Sequence, residues 1–248
     1  MSEPITYWAD GATEMLEHGT RELGIPLTGA ALDKCRRLTE LLCDYNTRMN
    51  LTRIPPEDAV LMHFLDSLSL VAAVRLGPGQ KVLDVGTGAG FPGLPLAIAY
   101  PGTRFTLMDA TLKRLNFIEK VISELGLANV RTLHRRAEEL PIPIDLHRHF
   151  HVVTARAVAR LAALAPCTLP YARGNGLVVA YKSTGIEEEL AEARAKLPAQ
   201  GAVIDRAVEV TLPMSDITRT LVVLRTTQST ARGRQGTAPI RNNANRGR

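Results

Sequence analysis

The chain is poor in sulfur and in rings: 248 residues contain three cysteines and one tryptophan, and aromatic side chains make up 4%. Cys35, Cys43 and Cys167 are an odd number with no CxxC spacing, which argues against a disulfide framework and against a thiolate zinc site. They are expected to be reduced, packed thiols. No apolar run approaches the roughly 20 residues that span a bilayer. The opening MSEPITYWADG has no basic segment followed by an apolar one, so the chain reads as cytoplasmic and without a membrane segment. A monomer is expected. Acidic residues are absent from 226–248, where Arg232, Arg234, Arg241, Arg246 and Arg248 stand. These five arginines account for the whole net charge of +5, since the remaining 25 basic and 25 acidic residues cancel. The same stretch has almost no large apolar groups with which to bury surface, so 227–248 is expected to be a disordered tail. An Arg-rich tail suits phosphate backbones, with Arg232 and Arg234 as RNA contacts. The plainer alternative is a solvated tail with no partner.

What is present is ordinary for a globular chain, with 45% hydrophobic residues and enough length for one sizeable α/β core plus an extension. Leu32, Cys35, Leu38, Leu42, Tyr45 and Met49 recur every three or four positions and predict one amphipathic helix. Pro55 and Pro56 open a second, with Leu61, Phe64, Leu65, Leu68, Val71 and Ala72 as its buried stripe. A weaker helical pattern covers 12–23. These segments predict a helical extension over 1–76, ended by the turn Gly77-Pro78-Gly79. From Lys81 to residue 226 strand and helix patterns alternate, with strands expected at 81–86, 104–109, 130–134, 152–155, 177–181, 207–212 and 220–224. That alternation predicts a doubly wound, mostly parallel seven-stranded sheet with helices on both faces. The last two strands are joined by a short turn and are expected to be antiparallel.

The most informative stretch is 82–93, where an apolar strand delivers Asp84 and the glycines Gly86, Gly88, Gly90 and Gly93 into a helix begun near Pro92. Two readings are open. Gly88-Ala89-Gly90-Phe91-Pro92-Gly93 matches GxGxxG, and Asp109 lies 21 residues after Gly88, as a ribose-binding acid does in a dinucleotide fold; this is an NAD(P) oxidoreductase. The other reading starts from Asp84, a carboxylate at the strand end, which favours a cationic cofactor over a pyrophosphate. S-adenosylmethionine carries an ammonium and a sulfonium, its ribose needs an acid such as Asp109, and its adenine needs an apolar slot.

The order of further motifs extends the second reading. Asn50-Leu51-Thr52, His63-Phe64-Leu65-Asp66-Ser67, the 84–93 loop, Lys113-Arg114, Arg136-Ala137-Glu138, Ala155-Arg156-Ala157 and Lys182 follow one another over about 32–225. In this order the chain resembles the RsmG (GidB) methyltransferases of bacterial small-subunit ribosomal RNA. The resemblance implies methyl transfer from S-adenosylmethionine to N7 of one guanine, position 527, in the 530 loop of 16S rRNA, so 16S rRNA or the small subunit is the expected partner. It implies that Gly86 and Phe91 line the amino-acid and ribose part of the cofactor, with Gly88 and Gly90 in the same loop. Asp109 and Ala110 meet the ribose, and Ala137 and Glu138 border the adenine. Arg156 contacts cofactor or target. Lys182, His63 and Asp66 position the target. Met62 stands where the family commonly has arginine, His151 where an aspartate often introduces the fourth strand, and Ser183 where a glycine is usual.

The chemistry agrees with the residue types. Guanine N7 has an in-plane lone pair and no proton to lose, so a methyl displacement there needs alignment and a dry pocket rather than a general base. Exocyclic amine methylation calls for an Asn-Pro-Pro-Tyr type loop after the fourth strand, and Thr154-Ala155-Arg156-Ala157 is nothing similar. Cytosine-C5 methylation needs a nucleophilic thiolate, but Cys167 lies about ten residues past the fourth strand and reads as a packed core thiol. His63 and Asp66, three apart, share a helix face away from the apolar stripe and are expected to pair and contact RNA; a solvated pair is the alternative. His147, His149 and His151 alternate beside Asp145, but no fourth ligand is assured and no metal is expected. Lys113, Arg114, Arg135, Arg136 and Arg219 are candidates for a phosphate-binding rim, although each alone is an ordinary surface charge. An rRNA-binding assembly factor without catalysis remains a further alternative.

Overall fold

Successive side chains of a strand point to opposite faces, so a strand apolar at nearly every position must be covered on both sides. The computed structural model describes residues 7–227. Its strands are β1 (Lys81–Val85), β2 (Arg104–Asp109), β3 (Val130–His134), β4 (Phe150–Arg156), β5 (Ala172–Lys182), β6 (Ala202–Thr211) and β7 (Thr218–Thr226). They form one sheet in the order β3-β2-β1-β4-β5-β7-β6. β1 to β5 pair in parallel, and β7 runs antiparallel to both its neighbours, as its short connection requires. β5 and β6 each begin five residues before their apolar runs. Register shifts opposite Phe150 and at Ile204/Arg206 break the two-residue period there, which hid the extra pairing from the pattern.

On one face Val82, Phe105, Leu107, Val152, Val179 and Val223 enter a core shared with α1 (Ala12–Glu22) and α2 (Gly29–Met49). The chain then runs through a 3₁₀ turn (Pro56–Asp58), a π-helix (Val60–Leu65), α3 (Asp66–Leu68) and a second 3₁₀ turn (Ser69–Ala72). α4 (Gly93–Ala99) and α5 (Leu112–Leu125) complete that layer. On the other face Leu83, Val85, Val153, Ala155, Val178 and Leu224 pack under α6 (Leu161–Thr168) and α7 (Glu187–Lys196). Leu16, Leu38, Leu42, Phe64 and Leu65, all within the N-terminal helices, are almost fully buried in the first core. At about 1.5–3 kcal/mol per buried side chain, these helices belong to the sheet's own core rather than resting on it.

The 56–72 segment departs from the amphipathic helix expected of it. Residues 63–70 are buried without exception, including His63, Asp66, Ser67 and Ser69. The segment is wedged between α1 and the carboxyl ends of the strands. A Cβ on Gly19 of α1 would stand 2.7 Å from Leu65, and the Tyr181 hydroxyl at the end of β5 donates to the Ser67 carbonyl at 2.8 Å. With no solvent side, Ser67 and Ser69 turn their hydroxyls onto the carbonyls of His63 and Asp66. The cysteines also differ from expectation: Cys35 is buried, whereas Cys43 and Cys167 are only half-buried. Cys167 sits on α6 with its thiol against the Ala163 carbonyl at 3.7 Å and is not a core residue. Among the described residues no helix is long and apolar enough to cross a membrane.

Candidate active site

The β1–α4 loop is organised from below by one carboxylate. Asp84, at the end of β1 and 1% exposed, accepts from the Thr87 hydroxyl (2.6 Å) and the Gly93 amide (3.1 Å) through Oδ2, and from the Thr154 hydroxyl of β4 (2.9 Å) through Oδ1. Burial pushes its pKa up to about 6 against the pull of those donors. Asp84 was expected to face a cationic cofactor directly; its oxygens accept from donors of the loop and of β4. Gly93 is required by this packing, because a Cβ there would collide with Leu107 and touch the Asp84 carboxylate.

Above the loop lies a cleft of about 300 Å³ lined by Gly86, Asp109, Ala110, Arg114, Arg136, Ala137, Glu138 and Val158, among others. It gathers five residues expected at the cofactor. Asp109, at the end of β2, accepts from the Gly88 amide at 3.0 Å and the Thr111 amide at 2.8 Å, with Arg114 at 3.5 Å. Two of those bonds are to backbone, so the carboxylate is held in place and keeps acceptor capacity toward the cleft. Gly86, at φ +66°, is the loop's exposed glycine, and a Cβ there would stand 2.9 Å from Val158. The backbone can therefore be approached closely from the cleft. Gly88, Gly90 and Phe91 do not line it; Phe91 is buried.

A second cleft, of about 520 Å³, adjoins the first, and Ala157 lines both. Its polar lining includes Asp66, Arg156, Lys182, Ser183, Glu189 and Arg219. Asp66 is the centre of a cluster. It accepts from Arg156 Nη1 at 2.8 Å and from Arg219 Nε at 2.9 Å, one oxygen each. Arg156 Nη1 also reaches the Met62 carbonyl at 3.0 Å, and its guanidinium stands 5.6 Å over the Phe91 ring. Beneath it His63 stacks on Phe91 with centroids 4.1 Å apart and 16° between planes. Thr52, held by the Asn46 amide at both its N–H and its C=O, places its hydroxyl 3.2 Å from His63 Nε2. His63 Nδ1 has no partner. Burial, and after it the Arg156 charge, drive the His63 pKa down to about 3, so the ring is neutral.

His63 and Asp66 thus neither pair with each other nor reach the surface; one supports Phe91 and the other clamps two arginines. Lys182 donates to the Ala159 carbonyl at 2.6 Å and meets Glu189 at 2.7 Å, while Glu189 accepts from the Leu161 amide at 2.6 Å. Lys182 therefore fixes the loop after β4. Arg219, expected on a phosphate rim, is instead half-buried against Asp66. Arg135 is spent on the Tyr171 hydroxyl and the carbonyls of Glu139 and Pro141. Lys113, Arg114 and Arg136 are exposed, and the last two line the first cleft, with Arg136 at 3.7 Å from Glu138. Arg232 and Arg234 lie outside the described residues. Val158 and Glu189 had no role in the sequence reading. Thr154 entered it only within the Thr154-Ala155-Arg156-Ala157 run, and Met62 only as a position where the family commonly has arginine.

The chain is similar to known proteins. A family model described as rRNA small subunit methyltransferase G (GidB) matches residues 31–218. A protein named ribosomal RNA small subunit methyltransferase G from Lachnoclostridium phytofermentans is 41% identical over 226 residues, 90% of this chain and 93% of that one. A protein of the same name from Thermoanaerobacter sp. is 39% identical over 86% of this chain and 90% of its own. Among solved structures, a SAM dependent methyltransferase from Aquifex aeolicus shares the fold with a TM-score of 0.51 at 21% identity, over 67% of this chain and 92% of that one. The sheet is thus the Rossmann-like sheet of S-adenosylmethionine-dependent methyltransferases, and the chain belongs to the rRNA small subunit methyltransferase G family.

Proposed function

We propose that the protein transfers a methyl group from S-adenosylmethionine to N7 of a guanine, position 527 in the 530 loop of 16S rRNA, with the cofactor in the first cleft and the base in the second. The observation that carries this reading is the meeting of the two clefts at Ala157, beside a loop whose Thr87, Gly88, Gly90, Phe91 and Gly93 amides are already used. A dinucleotide pyrophosphate binds free N–H groups at a helix N-terminus. Here the Gly93 amide is taken by Asp84, and those of Gly90, Phe91 and Leu94 by carbonyls within the loop. That speaks against the NAD(P) alternative. Asp109 would accept from the ribose hydroxyls, Gly86 would let the amino-acid moiety approach the backbone, and Ala110, Ala137 and Glu138 would border the adenine. When bound, the cofactor supplies an electrophilic methyl on a sulfonium. The chain's own part is alignment and exclusion of water. Asp66 is neutralised by two arginines and His63 is buried, so neither stands ready as a general base, which suits an acceptor atom with no proton to lose. Arg156 and Arg219 carry the N–H donors that the O6 edge of guanine accepts. On this reading the protein works as a monomer, in the cytoplasm, on small-subunit rRNA.

The test is a map of N7-methylguanine in 16S rRNA from cells with and without the gene. One methylated guanine is expected to disappear with the gene; an unaltered map together with retained RNA binding would instead support an assembly factor. Titration of purified protein should show saturable binding of S-adenosylmethionine and none of NADH. Asp109→Ala, which removes charge-assisted bonds worth about 1.5–3 kcal/mol, is expected to weaken cofactor binding roughly tenfold to a hundredfold.

A further inference from the structure

At the amino ends of the parallel strands, across the sheet from both clefts, two adjoining hollows of about 330 and 370 Å³ share Arg104, Ala128 and Asn129 and so form one groove. Its lining carries the cations Lys34, Lys81, Arg104 and Arg131, with His149 beside them and no carboxylate. Among the described residues none of these four cations is in an ion pair. Lys81 Nζ stands 2.8 Å from His149 Nε2, an ammonium donating to a neutral ring where a carboxylate would be the ordinary partner. His151 Nδ1 accepts from the Lys81 amide at 3.1 Å, so both His149 and His151 turn a ring nitrogen toward Lys81.

The histidines also report the local field. Burial, then Lys81 and Arg131, hold the His149 pKa down, and burial, then Arg173 and Lys81, do the same to His151. Asp145 is the carboxylate whose charge reaches His149, and it does not line the groove. The walls are fixed. Arg131 Nε donates to Thr106 at 3.0 Å, and the Asn129 amide ties the carbonyls of Ala97, Tyr100 and Thr103 together at 3.0–3.3 Å. Outside the Arg-rich tail the basic and acidic residues balance, so gathering several cations on one rigid groove without a counter-charge is a specific feature of this end of the sheet.

We propose that this groove is a second RNA contact, in which phosphodiesters of the small-subunit rRNA sit on Lys81, Arg104 and Arg131. A run of cations along a groove suits a polymer of phosphates better than one small anion. β1 spans about 17 Å between the groove and the cofactor loop, so the RNA engaged here is a different segment from the one presenting the target base. The inference rests on the rRNA reading above.

The test compares wild type, Lys81→Gln/Arg104→Gln/Arg131→Gln and the charge-preserving Lys81→Arg/Arg104→Lys/Arg131→Lys for binding to protein-free 16S rRNA and to small subunits over a salt series. The neutral triple variant is expected to bind both roughly tenfold to a hundredfold more weakly, with a log K against log salt slope shallower by about 2–3. The charge-preserving variant should keep the wild-type slope. S-adenosylmethionine affinity and the methylation rate at saturating RNA should be unchanged, which also shows the variant is folded. An affinity and slope like wild type overturn the groove while leaving the methyltransferase reading intact. Weakened binding to small subunits but not to protein-free rRNA overturns it in favour of a protein contact. Wild-type protein that binds and methylates no rRNA overturns both.

Discussion

Asp84 and His63 are buried titratable groups whose environments push in opposite senses. Asp84 holds its proton up to about pH 6 instead of the ordinary 3.8, so the folded state keeps a proton that the unfolded chain has released, and its contribution to stability falls as pH rises from about 4 to 6. His63 refuses a proton until about pH 3 while the unfolded ring takes one near 6.5, so its contribution falls as pH drops through that window. Between about pH 4 and 6 the two slopes oppose. Asp84→Asn removes one of them, and its stability is expected to fall more steeply with acid than wild type, by at most about 1.4 kcal/mol per pH unit. Urea unfolding at four pH values between 4.5 and 6 measures this, and parallel curves would show that Asp84 is ionised throughout. At Asp66 the expectation concerns coupling. Asp66→Asn leaves Arg156 and Arg219 facing each other without a full counter-charge and should cost about 3 kcal/mol of stability. Because the three side chains form one cluster, Asp66→Asn/Arg219→Gln should cost less than the sum of the single changes. Additive losses in a double-mutant cycle would dissolve the cluster.

At the scale of elements, the loop from Ala157 to Arg160 is held by the end of β5 and by α7 through Lys182, Glu189 and the Leu161 amide. It carries Val158 over Gly86. Lys182→Met should therefore loosen the roof of the cofactor cleft and weaken S-adenosylmethionine binding roughly fivefold to twentyfold, a loss of about 1–2 kcal/mol. If Lys182 instead touches the target base, calorimetry will find cofactor affinity intact and only the methylation rate reduced. The elements that carried a clean period, α2 and the strands β1 and β2, were legible in the sequence because burial decides their pattern. The 56–72 segment was not. Its Asp66 is held by partners 90 and 153 positions away, Arg156 and Arg219, which no local window contains. The site divides in the same way. The placement of Gly86 and Asp109 on one cleft was legible because a strand end, a tight turn and a fixed spacing mark them, whereas the contacts of Asp84 were not, because one of its partners, Thr154, lies on a different strand.

For the whole molecule, the sequence suggested an extension and a sheet domain, and the packing makes them one body. Trp8, 7% exposed, donates through its ring N–H to Thr13 and meets Phe64 edge-on at 6.0 Å; Phe64 in turn meets Phe91 of the cofactor loop at 6.3 Å. In a chain with so few aromatic residues, this row links the first described residues to the loop. Trp8 is the single tryptophan, so its fluorescence reports the N-terminal helices while far-ultraviolet circular dichroism reports the whole fold. If the two share a core, both probes are expected to give one midpoint on heating. A ligand at a hundred times its dissociation constant adds about 2.7 kcal/mol. For a domain of this size S-adenosylmethionine should then move both midpoints upward together by roughly 5–10 °C. A tryptophan transition that comes earlier than the dichroic one, or that ignores the cofactor, would mean that the helices before β1 unfold as a separate unit and that the aromatic row does not couple them to the loop.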